Sequence, residues 1–437
     1  MSRPALEATA HKASEALNAA LSKFKREQDK PPVILVVHAS VGSGHKSAAF
    51  AIQEALQNLK ASGDGRIPQD CEIRLVDILD FGFIKFNGDR TASAFTGPTR
   101  VFYDYSWRYG FTGVVLWGGG TIWSRLMFKP FTDYLSKVDP IAAVATHIVA
   151  ANCVSCARTL NNQKYPVVCV PTDYEVEGLW PHTDADLFCV ANETMAETLR
   201  NRKVEEERIA ITGIPVRGGY ERSFDPLESR AHFGLPTSMR VVLIMSGAHL
   251  KQPYVRFRQT IDEFFPYIKR FKDTLHFVFL PGKDQEYRNH LEQLVQIHQV
   301  SNATILDYVT EMPRLMSACD FAICKAGGLT VTECLCARLP MVLLGRTYGQ
   351  ERVNSRMLTS LGISLHVTTA RELYGAVKHL SDHPEALAAM RVNGDALRRP
   401  NAAADIAQCT LDLVGNDYQP KRHFMKLYLG HRPAHRR

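Results

Sequence analysis

Between Phe321 and Asn354, apolar runs, glycine turns and helix-forming stretches alternate in an order that few folds accept. The run Phe321 to Cys324 ends at Lys325. Gly327 and Gly328 then allow a tight turn whose bare N–H groups open a helix near Leu329. A helix start beside glycines attracts anions through unpaired N–H donors and the macrodipole. One turn inside, Glu333 lies too far along to meet a phosphate but is well placed for ribose hydroxyls. After Pro340 and a second apolar run, Met341 to Leu344, the turn Gly349-Gln350-Glu351 offers neutral and acidic groups suited to sugar hydroxyls, and Asn354 follows one turn later. Open α/β sheets bind ligands at the carboxyl ends of their parallel strands, so the expected ligand is a nucleotide sugar. A glycine pair alone is mostly loop geometry; the ordered set across two β-α units carries the argument.

The same alternation runs through the chain. Strands are expected at Val33 to Val37, Glu72 to Asp77, Ile141 to Ala145, Val167 to Val170, Leu187 to Val190 and Ile209 to Thr212. A second series follows at Val241 to Met245, Leu275 to Leu280, Thr304 to Leu306, Phe321 to Cys324 and Met341 to Leu344. Helical patterns between them make this an α/β protein with mostly parallel sheets. At 437 residues the chain exceeds one comfortable core, so two domains are expected. The glycines and prolines of residues 213–226 mark the hinge. The division is 1–213, with residues 1–30 a leading helix or disordered arm, then 214–415, then a basic tail at 416–437.

Charge and aromatics are unevenly spread. Of the net +7, six charges lie after Asp417, on Lys421, Arg422, Lys426, Arg432, Arg436 and Arg437, with no acid among them. With Phe424, Leu427 and Tyr428 among them, the tail is suited to an anionic membrane surface, or else is a solvated or packed terminus. The body shows no basic stripe, so no nucleic acid partner is expected. Residues 81–131 crowd Trp107, Trp117 and Trp123 with six basic residues, a mixture suited to the headgroup layer, the alternative being buried helices. No run of eighteen apolar residues and no signal-peptide core occur, so neither a simple membrane-spanning helix nor export is expected. The ten cysteines sit mostly in apolar runs, as small buried hydrophobes of a reducing compartment. Cys153 and Cys156 have metal-like spacing, but no second pair follows at finger distance, so no metal is expected.

An earlier glycine turn, Gly42-Ser43-Gly44, leads to His45 at the start of a helix expected from Lys46 to Leu59. A helix N-terminus disfavours imidazolium, which would leave a neutral ring able to take a proton from a hydroxyl.

Eight pieces of the chain carry a specific resemblance. They are VGSGHKSAA at 41–49, TDYEVEGLW at 172–180, ITGIPVR at 211–217, LIMSGAH at 243–249, PGK at 281–283, DYVTEMPRLMSACD at 307–320, KAGGLTVTE at 325–333 and GQE at 349–351. In this order they resemble bacterial processive diacylglycerol glucosyltransferases and plant monogalactosyldiacylglycerol synthases, members of glycosyltransferase family 28. The resemblance runs from about residue 32 to 400. It implies the GT-B fold, two Rossmann-like domains facing across a cleft. It also implies inverting transfer of a hexose from a UDP-sugar to diacylglycerol or a related lipid, without a cofactor or catalytic metal, by a peripheral protein of the cytoplasmic leaflet.

Carried over by position, the resemblance implies His45 as base, with Asp173 or Glu177 assisting. It implies Tyr308 and Val309 at uracil, Gly327, Gly328 and Thr330 at the diphosphate, Glu333 at ribose, and Gln350 and Glu351 at the donor sugar. Gly247 and Gly282 lie in matched turns; with Lys283, Lys325 and Asn354 they complete the donor-site candidates. Trp180 joins the three other tryptophans on the acceptor and membrane side. Relatives usually have histidine where this chain has Glu177 and glycine where it has Leu250. Three other readings stay open: an N-acetylglucosamine transferase acting on another lipid-linked acceptor, a UDP-sugar 2-epimerase, and a UDP-sugar sensor that transfers nothing.

Overall fold

A computed structural model describes residues 30–40, 43–82, 127–176, 180–246, 254–347, 349–415 and 418–419. The first half runs β1 (Val33–His38), α1 (Ser43–Ala61), β2 (Glu72–Asp77), α2 (Lys129–Val138), β3 (Ala142–Ala145), α3 (Ile148–Leu160), β4 (Val167–Cys169), β5 (Leu187–Val190), α4 (Glu193–Asn201) and β6 (Ile209–Ile211). The second runs α5 (Pro226–His232), β7 (Arg240–Met245), α6 (Val255–Ile268), β8 (Leu275–Leu280), α7 (Gln285–His298), β9 (Ala303–Ile305), α8 (Met312–Ser317), β10 (Phe321–Cys324), α9 (Gly328–Cys336), β11 (Met341–Leu344) and α10 (Gly349–Ser360). It ends with β12 (Ser364–Val367), α11 (Ala370–Asp382), α12 (Pro384–Gly394) and α13 (Ala402–Asp412).

Each half holds one six-stranded sheet, ordered β2-β1-β3-β4-β5-β6 and β12-β11-β10-β7-β8-β9. All ten pairings are parallel. Strands covered by helices on both faces read as continuous apolar runs, as VILVVH of β1 does with all six residues buried. The eleven expected strands form within a residue or two of their expected limits. β12, SLHV, was not foreseen: it lies at a sheet edge, is four residues long and keeps a half-buried and an exposed position, so it lacks an apolar signature.

The strand order reverses direction beside β1 in the first sheet and beside β10 in the second, because β1 is flanked by β2 and β3 and β10 by β11 and β7. The loops after β1 and β10 therefore open into crevices, the places where such sheets bind ligands. One apolar cluster runs through both halves, from Leu35, Phe131 and Val190 to Leu243, Ala322 and Leu343. Others fill the outer face of the second half, around Phe264, Phe277 and Phe321, and of the first, around Ile34, Ile52 and Val168.

The expected division at 213–214 needs a correction at its far end. Ile406, Ala407 and Leu411 of α13 are fully buried in the cluster with Ile34, Val36 and Ile52, so this helix completes the first half although it follows the second in sequence. Its apolar face covers a surface that α1 alone leaves open. The two crossings touch at Gly213, whose φ is +92° and whose Cβ, if present, would lie 2.4 Å from that of Arg399. The tail begins pinned to the first half as well. The buried Arg158 guanidinium pairs with Asp186 and donates to the Tyr418 hydroxyl at 2.8 Å. The Trp107, Trp117 and Trp123 segment and the charges after Tyr418 lie outside the described residues.

Candidate active site

His45 lies in the first turn of α1, which begins at Ser43, three residues earlier than expected. Its Nδ1 stands 3.0 Å from the Thr146 carbonyl and 2.7 Å from the Thr172 hydroxyl. A carbonyl only accepts, so Nδ1 carries the hydrogen and Nε2 is left with a lone pair. In return the Thr146 hydroxyl donates to the His45 carbonyl at 3.0 Å. Burial holds the imidazole below its ordinary pKa, opposed by the Asp173 charge and the Thr146 carbonyl. The ring is therefore neutral, oriented, and has one tautomer. His147 packs edge-on at 4.6 Å between centroids; burial and the neighbouring His45 and His38 keep it neutral too.

Across from α1 stands α9. The Leu329 Cβ is 3.8 Å from where a Cβ on Gly44 would lie, so the two helix starts face each other. Gly327 is the N-cap of α9 and has no side chain to cap it. In place of a cap, the Asp173 carboxylate of the other half lies against the start of α9 at Gly328. The approach is close enough that a Cβ on Gly328 would meet the Thr172 carbonyl oxygen at 2.1 Å and Asp173 Oδ1 at 2.7 Å. Asn354, completely buried, holds the same loop. Its amide nitrogen donates to Asp173 Oδ1 and to the Ala326 carbonyl, both at 3.0 Å, and its oxygen accepts from the Tyr174 N–H at 3.1 Å. The Tyr174 hydroxyl is 2.9 Å from that of Thr332 on α9. Burial pushes the Asp173 carboxyl upward, against the His45 charge and the Asn354 donor.

The other donor-side candidates divide by environment. Glu333 is half-buried, and burial alone pushes its pKa up to about 7. Lys325 forms an ion pair with Glu351 at 2.8 Å and lies 5.1 Å from the Tyr254 ring centroid. This lysine is thus engaged with the acid expected at the sugar. Gly282 takes φ +69° in the turn after β8 and delivers exposed Lys283 to 4.5 Å from the Tyr308 ring. Tyr308 is 56% exposed, and Val309 packs against the shared core. Thr330 stands half-buried in the first turn of α9, and Gln350 in that of α10.

Two expectations change. Trp180 is 6% exposed and meets Phe188 edge-on at 6.4 Å, so it is part of the first half's core and does not face lipid. Asn354 has its amide fully committed within the protein, holding the Thr172–Tyr174 loop and not a sugar hydroxyl. Glu177, Gly247 and Leu250 lie outside the described residues. Among the described residues no group of three or more His, Cys, Asp or Glu is arranged to hold a metal ion, and Cys153 and Cys156 lie buried along α3. Sequence reasoning missed Thr146, Thr172, Tyr174 and Thr332. Thr146 leaves no signal, since its carbonyl would serve with any side chain; the other three lie inside matched motifs.

Comparison with known proteins agrees with this layout. Residues 118–216 match the monogalactosyldiacylglycerol (MGDG) synthase family, and residues 241–407 the glycosyltransferase family 28 C-terminal domain. The processive diacylglycerol beta-glucosyltransferase of Bacillus licheniformis is 23% identical over 85% of this chain and 92% of its own. Among solved structures, MurG of Acinetobacter baumannii superposes with a TM-score of 0.52 at 18% identity, covering 88% of this chain and 99% of that one. UDP-GlcNAc 2-epimerase from Neisseria meningitidis gives 0.55 at 14% identity, over 87% and 100%. At those identities the structures share the fold alone. With a matched domain in each half and two parallel sheets facing through α1 and α9, the chain is a glycosyltransferase of GT-B fold, similar to the MGDG synthases and processive diacylglycerol glucosyltransferases of glycosyltransferase family 28.

Proposed function

We propose that this glycosyltransferase moves a hexose from a UDP-sugar to a hydroxyl of diacylglycerol or a related lipid, inverting the anomeric carbon, at the cytoplasmic face of a membrane. The observation that carries the reading is His45: a neutral imidazole whose Nδ1 is engaged by the Thr146 carbonyl and the Thr172 hydroxyl, which leaves Nε2 to act as the acceptor, on a helix start facing the α9 N-terminus. In one in-line step the acceptor oxygen bonds to the anomeric carbon and its proton passes to Nε2. The bond from that carbon to the diphosphate oxygen breaks, and UDP departs with the electron pair. The N–H groups and dipole at the start of α9 stabilise the charge that builds on the leaving group. Glu333 accepts from the ribose hydroxyls, Tyr308 and Val309 line the uracil, and Gln350 and Glu351 face the sugar.

The lipid acceptor is supported by the activity of the relatives, diacylglycerol glucosyltransferases, and by the MGDG synthase match. Among the described residues no helix is long and apolar enough to cross a membrane, in keeping with a peripheral protein. The test is UDP release from UDP-glucose, UDP-galactose and UDP-N-acetylglucosamine, with and without diacylglycerol vesicles, and mass spectrometry of the lipid extract. Lipid-dependent release with a hexosylated product is expected. Release of UDP or epimerisation of the donor without lipid, or use of N-acetylglucosamine alone, would overturn it.

A further inference from the structure

The start of α9 is the seat proposed above for the donor diphosphate, yet it is taken by a carboxylate of this same chain. Asp173 accepts from Asn354, and its Oδ1 and the Thr172 carbonyl lie where even a methyl on Gly328 would not fit. A diphosphate needs the N–H donors of the α9 start and that space, and its charge repels a carboxylate held on the same spot. The two anions exclude each other. We propose that Asp173 is an internal competitor of the donor diphosphate: the loop Thr172–Tyr174 docks its carboxylate on the α9 N-terminus, and UDP binds by displacing it. This rests on the donor-site reading given above.

Three contacts outside the anion seat make the loop a latch between the halves. The Tyr174 N–H donates to Asn354 Oδ1, the Tyr174 hydroxyl meets Thr332, and Asn354 is anchored to the Ala326 carbonyl. The loop also reaches the base, since the Thr172 hydroxyl stands 2.7 Å from His45 Nδ1. Displacing Asp173 therefore moves the segment that helps orient the imidazole, and links donor binding to the arrangement of the base through two adjacent residues. Asp173 has a second consequence for selectivity. A ligand with uridine but no diphosphate does not contest the seat, so the competition penalises UDP and leaves uridine untouched.

The experiment is calorimetric titration of the full chain with UDP and with uridine, for the wild type, Asp173→Ala, Tyr174→Phe and Glu333→Ala. Asp173→Ala is expected to bind UDP about fivefold or more tightly than the wild type, the lower range of coupling between linked sites. Uridine affinity stays the same. Tyr174→Phe weakens the latch without touching the anion seat, and tightens UDP in the same direction by less. Unchanged or weaker UDP binding by both Asp173→Ala and Tyr174→Phe, while Glu333→Ala still loses UDP affinity, overturns the competition and leaves the donor site standing. Unaltered UDP binding in Glu333→Ala and Asp173→Ala alike overturns both. An equal gain for uridine and UDP also overturns the competition, because it signals a general loosening rather than release of an anion seat.

Discussion

His45 owes its chemistry to a hydrogen bond rather than to its sequence neighbours. The Thr146 carbonyl fixes the proton on Nδ1, and burial keeps the ring neutral. His45→Ala is expected to lower turnover roughly a hundredfold or more with UDP affinity unchanged, as measured by steady-state kinetics beside titration. Glu333 illustrates the opposite trade. Its folded pKa of about 7 lies above the ordinary glutamate value of 4.5, so the folded state holds the proton more tightly than the unfolded chain does. Its contribution to stability is present below about 4.5 and is lost as pH rises through 7. Glu333→Gln should therefore melt above the wild type at pH 8, with the gap closing by pH 5. Nucleotide binding runs the other way, because the ionised form is the better acceptor for ribose hydroxyls. UDP affinity is expected to weaken as pH falls from 8 to 6, and Glu333→Gln to lose that dependence.

Among the elements, the connections carry as much information as the helices they join. Gly213 and Gly63 both have left-handed backbones, at φ +92° and +83°, but only Gly213 is hemmed in, by Arg399 and Ala402. Gly63→Ala pays the backbone penalty alone, about 1–2 kcal/mol. Gly213→Ala adds a steric clash between the two crossings and should destabilise by more, which paired thermal or urea melts would show. The start of α9 follows a similar logic. Gly327 has open space around it, whereas Gly328 is required by the Thr172–Asp173 backbone pressed against it. A glycine pair that reads as a phosphate turn thus also serves as a docking surface for the other half.

At the scale of the molecule, α13 brings the chain back to the half that holds β1. α13 leaves the second half and buries Ile406, Ala407 and Leu411 beneath the first sheet. Removing a fully buried leucine leaves a cavity, so Leu411→Ala is expected to cost about 2–5 kcal/mol. That loss should appear in the first half: hydrogen exchange would speed up along β1 and β3 and remain slow along β8.

Much of this is legible in the sequence. Strands buried on both faces write themselves as apolar runs, and a glycine turn between strand and helix marks the crevice, so the α/β alternation, both sheets and both glycine loops followed from the sequence. What it could not carry were facts that join distant residues. Trp180 looks like a lipid-facing ring until Phe188 packs against it. Asn354 looks like a sugar ligand until its amide is found holding Asp173 and Tyr174, 181 and 180 positions away. α13 carries an ordinary amphipathic pattern, which says that it packs but not on which half. Local periodicity determines which elements form and which face is apolar; which surfaces meet depends on packing and hydrogen bonding across the whole chain, and only the tertiary structure decides it.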